Sequence, residues 1–416
     1  MEITESELFG LLIDCLKKDG PAVDVTARLS GLSPENWHAF LSLAEIQRVR
    51  PLLWHRLKTK HLTHLAPEAS MAALERAYRE TTLRNLRFYG ELHRLTAAMD
   101  EENIPLIVLK GMALAEAVYG NIGHREMNDI DLLAHPQHLS RITEQLSTFG
   151  YKPQKPFSND AFRQILHHLP RMMKADKAGF EIHWNLTCPG EFYTIDPVEL
   201  WQRAALLKLK NGGHLLTLCP EDMLLHICFH TSYHHQFAFG LRPFCDIAEI
   251  LVRFGRDISW TSVLDRAERW KWRRGVYLAL RLAKDLVNAD IPDEIIKSMR
   301  PPDFDEGIKG LAQSQVFTDA RFAATISEPF AQLFGKKSHW EKIRIFWDRL
   351  FLDRKLMATV YPAAPDSFKI YCYYPVWVFR LICRYGRTMY GAKNSYSEIC
   401  GITERKRKIN RFLLEQ

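Results

Sequence analysis

Apolar residues recur at helical spacing through the first hundred residues. After Ser33, a suitable N-cap, they form a stripe on one helix face: Trp37, Phe40, Leu41 and the small Ala44. A longer helix is predicted from about residue 69 to 99. We interpret residues 1–100 as an N-terminal helical region whose apolar positions serve packing.

The pattern changes at Ile104. The apolar run IPLIVLKG is short and ends in glycine, which is typical of a buried strand. MALAEAVYG returns to helical spacing, with Gly120 as a helix stop. NDIDLLAH then alternates polar and apolar residues, which predicts a second strand. The stretch after Pro136 has another helical stripe: Leu139, Ile142, Leu146 and Phe149.

A hairpin is predicted in RMMKADKAGFEIHWNL, with its turn around Lys177 to Gly179. In the second arm, polar residues face one side of the sheet and apolar residues the other: Glu181, His183 and Asn185 against Phe180, Ile182, Trp184 and Leu186. Strand, helix, strand, helix and hairpin make a small mixed sheet with helices packed on it. The predicted fold class is therefore α+β, with this core in residues 101–196, between the helical regions 1–100 and 197–416.

Residues 197–288 are interpreted as helical, with breaks at NGG (211–213) and at Pro243. Further on, YCYYPVWVFRLICRYGR mixes aromatic residues with arginine. A buried amphipathic helix is its ordinary explanation; a membrane-surface helix and a stacking platform for nucleic acid are the alternatives. The basic segment ERKRKINR is interpreted as a solvated tail.

The composition is that of a globular protein, with 47% hydrophobic and 25% charged residues, and excludes a disordered chain. The apolar runs are too short for a membrane span, and MEITESELFG lacks the features of a secretory signal. The 8 cysteines form no CxxC pair, so we expect reduced thiols in a cytoplasmic protein. The net charge of +7 fits a polyanion site as well as a solvated surface.

The central chemical feature is Asp129-Ile130-Asp131. Residues two apart on a strand project from the same face, so both carboxylates can reach one point, while Ile130 and Leu132 point into the core. Two carboxylates this close repel unless a cation neutralises them. This spacing therefore indicates a site for hard divalent cations, Mg²⁺ or Mn²⁺, bound together with substrate phosphates.

A third carboxylate, Glu181, lies on the polar face of a strand that we expect to neighbour the first pair. Three carboxylates can hold two metal ions, one activating an acceptor oxygen and the other stabilising the departing pyrophosphate. The chemistry indicated is in-line nucleotidyl transfer, in which positioning and charge neutralisation do most of the catalysis.

Upstream, Lys110-Gly111 ends a strand and begins a helix. Free backbone N–H groups at a helix start attract phosphate, and glycine permits its close approach. Lys110, and Arg125 from the loop before Asp129, are the predicted cations for the triphosphate. Each element alone is weakly specific, and their order along the chain makes the combination more so.

These segments resemble the nucleotidyltransferase superfamily with the DNA polymerase β-like fold, and within it the family described as uncharacterised nucleotidyltransferases. The resemblance rests on VLKGMALAEAVYG, HREMNDIDLLA and FEIHWNL, in the family's order and at similar spacings. WHAFLSLAEIQRVRPLL and LLHICFHTSYHHQFAFGLRPFCDIAEIL also look like the family, so the likeness covers roughly residues 35–255.

The resemblance implies that Asp129 and Asp131 are metal-binding carboxylates, that Glu181 is the third, and that Gly111 belongs to the turn that cradles the phosphates. Two features depart from the wider superfamily. Its turn is Gly-Ser or Gly-Gly, whereas this chain has Lys110-Gly111-Met112, so Lys110 is the expected substitute for the hydroxyl. Residue 181 is Glu rather than Asp, one methylene longer.

Several other polar residues leave alternatives open. His226, His230 and His234, followed by His235, recur every four residues and would share one helix face. A transition-metal site, a contact with nucleotide or acceptor, and packing beside the cleft are the three interpretations, and packing is the favoured one.

Asp246 looks like a recurrent acidic position of the family. The alternatives are a charge at a helix N-terminus and a salt bridge to Arg242 or Arg253. His183 either contacts substrate or hydrogen-bonds a neighbouring loop.

The function predicted from the sequence is a metal-dependent nucleotidyltransferase that moves a nucleoside monophosphate from an NTP, ATP first among them, to an unidentified acceptor. Asp129, Asp131 and Glu181 are the predicted catalytic and metal-binding residues, with Lys110, Gly111 and Arg125 for the nucleotide. The alternatives are an inactive binding module of the same fold that recognises a peptide or protein, and a toxin-like transferase acting on tRNA or protein.

Overall fold

The structure is a computed structural model of the chain. It describes single residues 340, 344 and 347 and the ranges 3–18, 22–154, 166–208, 214–318, 350–361, 363–392 and 396–415. The NGG segment (211–213), taken above as a break between helices, lies outside the described residues.

The N-terminal region is helical, as predicted. Its helices are α1 to α5: Glu5–Leu16, Ala22–Ser30, Pro34–Ile46, Arg50–Thr59 and Glu68–Asp100. The Ser33 hydroxyl accepts a hydrogen bond from the Asn36 N–H at 3.2 Å, which confirms the N-cap. Trp37 and Phe40 on the predicted stripe are fully buried, so this helix is held by its apolar face.

The sheet in the described part of the chain has 7 strands in the order β3-β4-β5-β2-β1-β7-β6. These are Ile107–Val108, Asp129–Leu133, Lys152–Pro153, Met172–Met173, Gly179–His183, Ala205–Lys208 and His214–Thr217, numbered β1 to β7 along the chain. β2 runs antiparallel to β1 and parallel to β5. The predicted mixed sheet and α+β class are confirmed.

The elements around the sheet follow the pattern with small shifts. Of IPLIVLKG only Ile107–Val108 is strand, and α6 begins at once, as Lys110–Ala117. Gly120 has a φ of +62°, a left-handed conformation suited to a stop. After Pro136, helix α7 is Leu139–Thr148. The hairpin pairs β4 with β5 in antiparallel fashion, as predicted.

The prediction that residues 197–288 are helical between the breaks is wrong for two segments. Ala205–Lys208 and His214–Thr217 form an antiparallel hairpin, and β7 pairs in parallel with β1. Four-residue strands give too short a pattern to distinguish from a helix turn. The domain boundaries at residues 100 and 196 stay predictions. The sheet includes strands before and after residue 196.

The remaining helices of the described ranges are α8 to α17: Pro197–Gln202, Pro220–Phe229, Arg242–Phe254, Trp260–Arg269, Arg273–Val287, Asp293–Met299, Glu306–Val316, Arg354–Val360, Lys369–Ala392 and Tyr396–Leu414. One cluster of buried apolar side chains extends from the N-terminal helices through the sheet to the end of α17. None of the helices in these ranges is both long and apolar enough to span a bilayer.

Two expectations about the C-terminal segments need correction. The aromatic stretch is helical, but its Tyr371 and Phe379 are 50% and 67% exposed, so only part of its surface is buried. The basic segment is no solvated tail, because it lies on α17, whose Ile409 and Phe412 are buried in the core. The charged face of that helix points outward while its apolar face packs.

Candidate active site

Strands β2 and β5 bring two of the three predicted carboxylates together. They pair in parallel with Asp131 opposite Glu181, and Ile130 and Leu132 are fully buried on the other face, as predicted. Asp131, Glu181 and His183 each offer one ligand atom, and these atoms lie within 4.8 Å of one another. Asp129 is not part of this group; it lies two residues earlier and lines the same cleft.

His183 is the member of this group that sequence reasoning left undecided. Its Nε2 lies 3.0 Å from Asp131 Oδ1. Burial, followed by the nearby Lys110 ammonium, lowers the pKa of His183 to about 4, so the ring is neutral. Because a carboxylate only accepts, Nε2 carries the proton and donates it to Asp131. The alternation with Glu181 along β5 was the sequence signal for this position.

Lys110 lines the cleft with its ammonium against a carboxylate. Its backbone is left-handed (φ +44°) where β1 passes into α6, and its Nζ donates to Asp131 Oδ1 at 2.8 Å. Burial alone would lower the pKa of Lys110, but Asp131, Glu181 and Asp129 outweigh it and raise it. The side chain is therefore a buried ammonium held by the acidic group.

Arg125 and Gly111 pack against each other at the start of α6. A Cβ on Gly111 would lie 2.8 Å from Arg125 Nη1, so glycine makes room for the guanidinium. Arg125 Nε and Nη2 each donate to Asp246 at 2.8 Å, and Tyr119 donates to the same carboxylate at 2.8 Å. Asp246 does form a salt bridge, but its partner is Arg125. The partners predicted from the sequence, Arg242 or Arg253, were wrong.

The acidic group carries more negative charge than Lys110 balances. Burial and then the repulsion of Asp131 raise the pKa of Glu181 to about 7, and the same causes raise that of Asp129. Burial would also raise the pKa of Asp131, but Lys110 and His183 outweigh it and lower that pKa. Arg171 lies 3.4 Å from Asp129. Closely spaced oxygen donors with excess charge fit a divalent cation.

The raised pKa of Glu181 predicts a pH-dependent stability in the absence of metal. Between its ordinary pKa of 4.5 and its folded value of about 7, the folded chain binds more protons than the unfolded chain, so stability falls as pH rises. Glu181→Gln removes this cost and is expected to stabilise the protein at pH 8 by up to about 3 kcal/mol, with little effect at pH 4.5.

Denaturant unfolding of the wild type and of Glu181→Gln, in EDTA at both pH values, measures this difference in the free energy of unfolding. Glu80→Gln, at an exposed position of α5, is the matched control and should show the same stability change at both pH values. An equal effect of Glu181→Gln at low and high pH would contradict the raised pKa.

These groups open into a cleft of about 320 Å³. Its walls include the acidic side chains Asp129, Asp131 and Glu181 and several cations. Among these cations are Arg48 and Arg242, which the sequence pattern did not assign to the site. Arg48 lies about eighty residues before the carboxylates, and only the packing of α3 and α4 against the core brings it here.

The histidine series does not form a metal site of its own. α9 ends at Phe229, and His230–His234 is a π-helical turn, so the histidines do not share one α-helical face. His226 is buried, which confirms packing for that residue, whereas His230 and His235 line the cleft. Among the described residues, the group of Asp131, Glu181 and His183 is the one whose ligand atoms converge.

Comparison with known proteins adds a family to this geometry. A search of curated proteins gives no match. Among solved structures, the solution structure of the antibiotic-resistance factor ANT(2'')-Ia aligns with a TM-score of 0.34 and 14% identity, over 48% of this chain and 96% of that chain. The family model described as uncharacterised nucleotidyltransferase matches residues 33–288. Since that match spans more than half of the 416 residues, the chain belongs to the family of uncharacterised nucleotidyltransferases.

Proposed function

We propose that this protein transfers a nucleoside monophosphate from an NTP, ATP first among them, to an acceptor hydroxyl or phosphate with the help of Mg²⁺ or Mn²⁺. The observation that carries this proposal is the facing of Asp131 and Glu181 across paired parallel strands, at the floor of a cleft that Asp129 also lines. The family match to residues 33–288 supports the same reaction class.

Asp131 and Glu181, with Asp129 beside them, are the residues that would hold the cations. When bound, divalent ions neutralise the triphosphate and favour ionisation of the acceptor. His183 is neutral and its N–H holds Asp131 in one orientation, which leaves the second carboxylate oxygen for a ligand. In the reaction, an acceptor oxygen bonds to the α-phosphorus, the bond to the β-phosphate oxygen breaks, and the acceptor proton is lost to solvent.

The cations of the cleft take the phosphates in this proposal. Lys110 can exchange its bond to Asp131 for a phosphate oxygen, because it lies at the start of α6 and lines the cleft beside that carboxylate. Leu109, the N-cap residue of α6, gives no side-chain cap, so the first N–H groups of the helix are available to phosphate. Arg125 stays paired with Asp246, and its remaining nitrogen, Nη1, lies beside Gly111.

One observation favours the alternative of a binding module without turnover. The Lys110 ammonium lies 2.8 Å from Asp131 Oδ1, so the carboxylate already has a positive partner. A protein that keeps this pair on binding nucleotide would bind it without chemistry.

Labelled nucleotides separate these functions. The full chain is incubated with Mg²⁺ or Mn²⁺ and NTPs labelled at the α- or the γ-phosphate, together with tRNA, protein extract or small-molecule acceptors. We expect the α-label alone to appear in an acceptor, with release of one pyrophosphate for each transfer. Metal-dependent nucleotide binding without pyrophosphate release would indicate the binding module, and absence of nucleotide binding would contradict both.

A further inference from the structure

One wall of the cleft consists of Arg48, Phe239 and Arg242, which we call the arginine–phenylalanine wall. The guanidinium carbons of Arg48 and Arg242 lie 4.8 and 4.7 Å from the centre of the Phe239 ring. All three side chains line the same cleft as Asp129 and Glu181. The ring therefore holds two positive groups together at one place, through cation–π contacts.

These two guanidiniums differ from the other cations of the cleft. Lys110, Arg125 and Arg171 are each within 4 Å of a carboxylate: Asp131, Asp246 and Asp129, respectively. Among the residues that the structure describes, no carboxylate oxygen lies within that distance of Arg48 or Arg242. The wall is thus a concentration of positive charge that no carboxylate of the described residues contacts directly.

Arg242 is the stronger indication of an anion site, because the residue is charged and only 9% exposed. Its Nη1 donates to the backbone oxygen of Glu126 at 3.0 Å, whereas its Nε is buried without a hydrogen-bond partner. Burial, followed by the nearby Arg125, lowers the pKa of Arg242 to about 10. A buried donor without a partner and a poorly compensated charge both cost free energy. An anion bound at the edge of the cleft would reduce both costs, because it accepts the hydrogen bond and balances the charge.

The wall is also fixed in position before any ligand binds. Gln47 Oε1 accepts a hydrogen bond from the Leu241 N–H at 2.9 Å, which ties the segment of Arg48 to that of Arg242. Between them, Gly240 has a φ of +75°, and a Cβ there would lie 2.9 Å from the same Gln47 oxygen. The two loops thus meet at a close contact that favours glycine, so the guanidiniums are preorganised.

We propose that the arginine–phenylalanine wall binds a phosphate group of a substrate, either the outer phosphates of the NTP or a phosphate carried by the acceptor. The proposal deepens the proposed function, since it assigns a second, metal-independent contact to the same cleft. Guanidinium groups donate fixed pairs of N–H bonds, which match phosphate oxygens better than they match a single neutral acceptor.

Metal-free binding of inorganic tripolyphosphate tests the wall directly. In EDTA, we expect calorimetry to show binding by the wild type and about tenfold weaker binding by Arg242→Gln and by Arg48→Gln. Arg79→Gln, at an exposed position of α5, is the matched control and should bind like the wild type. Arg48 is only half-buried, so we expect Arg48→Gln to fold. It therefore tests the wall even if Arg242→Gln fails to fold.

Two further titrations with Mg²⁺ identify the source of the phosphate. If the wall holds the outer phosphates of the NTP, both variants lose affinity for ATP but not for AMP. If the wall holds a phosphate of the acceptor, both variants bind ATP as tightly as the wild type does. Tripolyphosphate then also binds to the protein–ATP complex, and the two variants bind it more weakly than the wild type, as they do without ATP. Either result supports the wall, whereas equal affinities of Arg48→Gln and Arg79→Gln for both ligands would overturn it.

The outcome is independent of turnover. Asp131→Asn removes a carboxylate of the proposed metal site but none of the wall, so it should retain metal-free tripolyphosphate binding. A protein that binds tripolyphosphate through Arg48 and Arg242 but transfers no nucleotide would contradict the proposed function alone. Loss of nucleotidyl transfer therefore does not contradict phosphate binding by the wall.

Discussion

Asp131→Asn is expected to lower the rate of nucleotidyl transfer by about a thousandfold, the scale at which loss of a metal-binding or charge-stabilising group acts on such reactions. Asp131 is the carboxylate on which the site converges: Lys110, His183 and Glu181 all face it. Asparagine keeps the shape of the side chain and removes its charge. The measurements are transfer of α-labelled nucleotide and the thermal shift produced by Mg²⁺ and ATP.

The fold should survive this change. Lys110 keeps Glu181 and Asp129 as neighbouring carboxylates, and Ile130 and Leu132 continue to anchor β2 in the core. Asp176→Asn is the matched control, since Asp176 is exposed at the turn of the hairpin that leads into β5 and tolerates asparagine in its left-handed conformation. Transfer and nucleotide binding by Asp131→Asn at the wild-type level would place the active pocket elsewhere.

Asp246→Asn is expected to lower the free energy of unfolding by about 3–5 kcal/mol, as is found when one member of a buried ion pair is removed. Arg125 and Asp246 are 5% and 1% exposed, and two hydrogen bonds of 2.8 Å join them across 121 residues of chain. Without the carboxylate, the Arg125 guanidinium remains buried near Arg242, which is also buried. Two unbalanced cations then face each other at the junction of the sheet and α10.

A double-mutant cycle separates the pair from its surroundings. Arg125→Met combined with Asp246→Asn should be less destabilising than the sum of the two single changes, because no isolated charge stays buried. Glu75→Gln, which removes an exposed ion pair with Arg79 on α5, is the control and should cost less than about 1 kcal/mol. Additive effects in denaturant unfolding would contradict a coupled pair.

The buried pair also bears on the cleft. It fixes Arg125, and Arg125 occupies the space that the missing side chain of Gly111 leaves at the start of α6. The sequence pattern assigned Gly111 to phosphate approach, and the structure adds a packing reason for the same residue. Both interpretations require glycine, so a substitution at this position alone does not distinguish them.

The local pattern of residues determined which elements carry the chemistry. Alternation along NDIDLL placed Asp129 and Asp131 on one face of a strand, and alternation along FEIH placed Glu181 and His183 on one face of another. The start of α6 at Lys110 and the cap at Ser33 followed from neighbouring residues in the same way. Such features depend on the geometry of a few consecutive residues, which any stretch of chain expresses by itself.

The tertiary structure alone decided which of these residues meet. Three long-range contacts illustrate this: the register that sets Asp131 opposite Glu181, the pairing of Arg125 with Asp246, and the approach of Arg48 to the segment of Phe239 and Arg242. The segments they join lie between 50 and about 195 positions apart. The two short strands Ala205–Lys208 and His214–Thr217 are strands because β7 pairs with β1 and β6 pairs with β7. Contacts of this kind follow from packing a whole core and closing long loops, and no short segment encodes them.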